Sequence, residues 1–75
     1  MRSLTINGKM ELKDLRVGMY IWHESVPFKL VLRTWKGKTS ERWIVLPLFT
    51  GEPERKLVIC AKDRFYQAHF HSGAA

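Results

Sequence analysis

The chain has one cysteine, three prolines, seven acidic side chains and no apolar run long enough to cross a membrane. Each shortage excludes something. A lone Cys60 rules out an internal disulfide, and its place in the apolar run LVIC is that of a small buried hydrophobe rather than a reactive thiol. A reducing compartment, and so a cytoplasmic protein, is the expectation. Roughly 18 consecutive apolar residues would be needed for a membrane helix, and the opening MRSLTINGK lacks the apolar stretch of a signal peptide. There is no Gly-rich phosphate loop, no carboxylate pair and no nucleophile motif, so the chain does not read as an enzyme and implies no cofactor.

Positive charge is what the chain does have. Thirteen Lys and Arg stand against seven Asp and Glu, for a net charge of +6 and a pI near 9.9. Such a balance favours an acidic partner, nucleic acid foremost. Seventy-five residues make a single domain over 1–75, with 71–75 expected to fray. A chain this short buries only roughly 60% of its unfolded surface, which leaves a small core and no deep substrate cavity.

Short β-rich runs with turn signals between them predict an all-β fold, a small SH3-like barrel of five to six short antiparallel strands. An OB-fold is the competitor, but no segment offers the helix it places between strands three and four. Asn7-Gly8 suits a tight hairpin turn near the start. KDLRVG is too short for a stable helix and reads as a turn feeding a strand. Met19 to Glu24 alternates, with Met19, Ile21 and His23 on one face. Pro27 and Pro47 mark places where a strand stops, lies at an edge or bends. Further strands are expected over Leu57 to Cys60 and Phe65 to Phe70.

The longest feature is FKLVLRTW, KGKTS, ERWIVLPLF, a hairpin from Phe28 to Phe49. With Lys36 to Ser40 as the loop, Trp35 faces Glu41, Arg33 faces Trp43, Leu32 faces Ile44, Leu30 faces Leu46 and Phe28 faces Leu48. The apolar set Phe28, Leu30, Leu32, Ile44, Leu46 and Leu48 is then the core side. The other side mixes aromatics and cations, with Arg33 placed for a cation–π contact on Trp43. Two readings of that side compete. In one, exposed Trp35 and Trp43 stack on bases while Lys29, Arg33, Lys36, Lys38 and Arg42 hold phosphates. In the other, both tryptophans are core and arginine stems lie over them.

LKDLRVGMYI at 12–21, the tip KGK at 36–38 and LFTGEPER at 48–55 together resemble the N-terminal KOW-type, SH3-like domain of elongation factor P and its eukaryotic relatives. The similarity spans most of residues 12–64. It implies a barrel whose hairpin tip carries a functional lysine, here Lys36 or Lys38, which in that family reaches into the ribosome. The pattern departs at the tip, where only Gly37 remains of the flanking glycines and Thr39 and Ser40 follow, and no OB-type domain follows within these residues. Support of peptidyl transfer is therefore not carried over, whereas contact with RNA, DNA or another protein is.

Two other patterns are weaker. His69-x-His71, with His23 as a third imidazole, has no Cys, Asp or Glu at ligand spacing, so no metal site is expected. A Cys60–histidine dyad conflicts with the apolar setting of the thiol. The expected function is thus a nucleic-acid-binding barrel that uses the hairpin face and the KGK tip. The alternative is an interaction module, such as a small accessory or mobile-element protein, that docks on a protein partner or forms a homo-oligomer through the same aromatic face. No membrane association is expected.

Overall fold

The computed structural model describes residues 3–71, with all side chains in that range except those of residues 3, 4, 7, 70 and 71. Six strands form one antiparallel sheet: β1 (Ser3–Lys9), β2 (Tyr20–His23), β3 (Val26–Lys36), β4 (Ser40–Pro47), β5 (Arg55–Cys60) and β6 (Phe65–His71). Their order is β1-β6-β2-β3-β4-β5, so β2 to β5 make a meander and the last strand returns beside the first strand of that meander. The sheet curls into a half-barrel, which is the expected all-β small barrel with six strands. The expected fraying of SGAA lies outside the described residues, while the His71 backbone pairs with Ser3. Among the described residues no helix is long and apolar enough to cross a membrane.

Local sequence explains most of the joints. Glu24 and Ser25, both at positive φ, form the two-residue turn between β2 and β3, the left-handed pair that a type I′ hairpin needs. LKDLRVG makes one 3₁₀ turn over Leu12–Asp14, closed by the Glu11 amide donating to Asp14 Oδ2 at 3.1 Å. Its Leu12 and Leu15 plug the concave side of the sheet, while Val17 stays exposed. Gly18 follows at φ +87°, where a side chain would strain the backbone.

The core is the concave face: Ile21, Phe28, Leu30, Trp43, Val45, Ile59 and Phe65, covered by Met10, Leu12 and Leu15. Phe28 and Leu30 were expected there. Val45 was not, Trp43 was expected there only in the reading that makes both tryptophans core, and the cause is two irregularities in the β3–β4 ladder. Leu32 does face Ile44 and Arg33 does face Trp43, but Val31 and Thr34 are each an extra residue on β3. Each extra residue shifts the pairing by one, so Phe28 faces Pro47 at the base and Trp35 faces Arg42 near the tip. A one-residue shift exchanges faces. The inward side of β4 is therefore Glu41, Trp43, Val45 and Pro47, whereas Leu32, Ile44 and Leu46 lie on the convex side, with Leu32 54% exposed.

Two smaller expectations change as well, and a third, the end of a strand at Pro47, holds. Asn7-Gly8 does not turn the chain: β1 runs through it, and the two residues stand opposite Gln67 as a bulge between the Ile6–Ala68 and Lys9–Tyr66 pairs. Pro27 lies inside β3 opposite Trp22 rather than ending a strand. Pro47 is the last residue of β4.

Candidate functional site

The concave side holds a polar cluster beneath the hairpin. Glu41 is 1% exposed, and its Oε1 accepts a hydrogen bond from Trp43 Nε1 at 3.0 Å. Arg33 Nε lies 3.2 Å from the same oxygen without an aligned hydrogen bond, and Arg33 Nη2 donates to the Leu15 carbonyl at 3.0 Å. The guanidinium also sits over the Trp43 ring, 4.9 Å from its centre. Arg33 thus ties β3, β4 and the segment after the 3₁₀ turn together. The proposed ligand role of Trp43 needs correction here. Trp43, 1% exposed, has no free face for a base, whereas the Arg33 side chain lies over it and stays 30% exposed.

A second polar group holds the β5–β6 turn. Asp63 Oδ2 accepts the Cys60 amide at 2.8 Å and lies 3.0 Å from Nε2 of His23, whose ring packs near Phe28 and Phe65. Burial of the carboxyl opposes its ionisation, but the Cys60 amide, then the His23 ring, then the Lys62 charge together outweigh it and hold Asp63 below its ordinary value. A depressed carboxylate contributes stability above its unfolded pKa of about 3.9 and loses it as pH falls through the folded value. Asp63→Asn is therefore expected to lower the urea midpoint at neutral pH and to flatten the decline below about pH 4. An unchanged pH profile would contradict this role for Asp63. His23 is engaged here, and among the described residues no three of His, Cys, Asp and Glu gather as a metal-binding set.

The convex side of β3, β4 and β5 is different in kind. Trp35 and Arg42 stand opposite each other, and the Arg42 guanidinium lies over the Trp35 ring at 5.3 Å from its centre. Trp35 is nevertheless 48% exposed. Its ring edge rests over Gly37, where an added Cβ would collide with the ring, so a side chain there would push the half-exposed indole aside. β5 completes the surface. Its pairing with β4 sets Val58 opposite Arg42 and Lys56 opposite Ile44, and Val58 is 51% exposed. Thr34, Trp35, Arg42, Lys56, Leu57 and Val58 line an open depression of about 530 Å³. Further down the same face, Lys29 stands opposite Leu46 with its ammonium 6.0 Å from the centre of the Tyr20 ring.

Of the seven residues singled out from the sequence, this face brings together Trp35, Arg42 and Lys29. Lys36 is exposed at the tip opposite Glu41. Lys38 is exposed too, but it lines another depression, beside the Lys9 to Asp14 segment and Ala61 on the open side of the barrel. Sequence reasoning missed Lys56 and Val58. The alternation in RKLVIC was a usable signal, since a strand begun at Arg55 places both on one face.

Lys29, Arg42 and Lys56 on the convex face form no ion pair with a carboxylate of the described residues. Among the described residues the carboxylates lie elsewhere: Glu11 and Asp14 at the 3₁₀ turn, Glu24 in the β2–β3 turn, Glu41 in the core, Glu52 and Glu54 between β4 and β5, and Asp63 in the β5–β6 turn. In comparisons with known proteins, no family model, curated protein or solved structure matches this chain.

Proposed function

We propose that the chain is a small nucleic-acid-binding barrel whose interface is the convex face of β3, β4 and β5. The observation that carries this reading is the half-exposed Trp35 stacked with Arg42 on a face where Lys29 and Lys56 meet no carboxylate. Cations set around an exposed aromatic ring supply the two components that nucleic acid offers partners for, phosphate charge and base faces. Lys36 and Lys38 extend the positive field to the tip, consistent with the resemblance to a KOW-type domain and its lysine-bearing tip. A reducing, cytoplasmic setting belongs to this reading, in keeping with the single free Cys60.

Binding of this kind releases counterions and weakens with salt. Titration of an oligonucleotide is expected to show affinity that falls steeply between about 50 and 200 mM salt, with the double variant Arg42→Glu, Lys56→Glu binding weakly or not at all. Absence of binding at tens of micromolar protein in about 50 mM salt would refute the proposal. A second reading, self-association or docking on a protein, draws on Leu32 and Val58, both more than half exposed on the same face. It predicts a dimer in sedimentation that salt does not dissociate.

A further inference from the structure

Resting on the nucleic-acid reading above, we propose that this face selects single-stranded over duplex nucleic acid by seating one unpaired base on the open side of the Trp35 ring. The guanidinium of Arg42 covers one side of that ring and Gly37 lies against its edge, yet almost half of the residue is open. The exposed part of the indole is what a base can reach. The depression beside it joins an apolar wall, Val58, to the cations of Arg42 and Lys56, so a stacked base has its backbone phosphates beside positive charge.

The width of the sheet argues against a duplex. A major groove about 12 Å wide admits a two-stranded ribbon. Here β5 pairs with β4 all the way to Ser40, which stands opposite Cys60, so the hairpin is three strands wide almost to its loop. Strands lie about 4.8 Å apart, so three of them are wider than the two-stranded ribbon that enters a groove, and a duplex would have to meet the face of the sheet instead. Bases in a duplex are also stacked on both faces and have none to offer Trp35. A single strand has neither limitation, and its charge complements cations that no carboxylate of the described residues pairs with.

The test compares a short mixed-sequence single strand with the same sequence as a blunt duplex, at about 50 mM salt, using the full chain and the variants Trp35→Ala and Trp35→Phe. Circular dichroism establishes that each variant is folded. The single strand is expected to bind at least about ten-fold more tightly than the duplex, and Trp35→Ala to weaken it roughly 5- to 150-fold, the range for loss of one stacked base. Trp35→Phe should retain most of the affinity, and duplex binding should be the same in all three proteins. Equal affinity for the two forms, or a Trp35→Ala variant that binds the single strand as tightly as the parent, overturns the base seat while leaving the charge-based function standing. Binding of neither form overturns both. Self-association through Trp35 that excludes the oligonucleotide also overturns the base seat and points to a second copy as the occupant.

Discussion

Replacing Glu41 with alanine is expected to destabilise the fold by about 3 kcal/mol, the scale of breaking a buried ion pair from one side. The loss has two parts. Trp43 Nε1 loses its acceptor in a fully buried position, and Arg33, whose Nε lies 3.2 Å from the carboxylate, is left charged beneath the hairpin. Partial exposure of the Arg33 side chain lets water reach the guanidinium and keeps the cost from the top of the usual range. Glu41→Gln separates the parts, since an amide oxygen still accepts from the indole but no longer balances the arginine. Its expected cost is under half that of alanine. Urea denaturation measures both. With roughly 4–11 kcal/mol as the total for a domain of this length, the alanine variant should show a much lower midpoint. Equal midpoints for Glu41→Ala and the parent would mean that the carboxylate is not buried.

The two hairpin tryptophans are expected to differ by most of the stability scale. Trp43→Ala removes the largest fully buried side chain, next to Val45 and Leu30 in the core, and should cost about 3–5 kcal/mol. Trp35→Ala removes a half-exposed ring whose main partner is a solvated guanidinium, and should change stability by no more than about 0.5–1 kcal/mol. Thermal or urea unfolding of the pair checks this directly. Similar losses at both positions would contradict the division of the hairpin into a dry and a wet side.

That division was only half legible in the sequence. The all-β class, the shared face of Ile21 and His23 and the middle of the hairpin register all follow from alternation and turn chemistry. The two ends of the register do not, because Val31 and Thr34 are ordinary strand residues and nothing in their identity marks a bulge. Glu41 made the difference worse. Hydrophobic patterning treats a carboxylate as solvent-facing, so the β4 face that carries it was read as the outer one. Its burial depends on Arg33 and Trp43, contacts that only the folded register creates. His23 and Asp63, forty residues apart, illustrate the same limit, since no local pattern pairs them. Asn7-Gly8 misled for the opposite reason: a pair well suited to a turn serves equally well as a bulge in a continuous strand.

For the candidate site, the consequence is a redistribution of roles. Trp35 and Arg42 stay on the outer face where the proposed interface lies, Trp43 is core with Arg33 over it, and Lys56 joins from a strand that the hairpin alone does not include. The face that results is smaller than the one expected and carries a single exposed indole.

The indole N–H signals of Trp22, Trp35 and Trp43, followed by nuclear magnetic resonance while a short single-stranded oligonucleotide is added in about 50 mM salt, test the account most directly. The predicted result is a progressive shift of the Trp35 signal, with the Trp43 signal unmoved and protected from exchange by its bond to Glu41. A Trp43 signal that shifts while Trp35 stays fixed, or three signals that all remain in place, would contradict it.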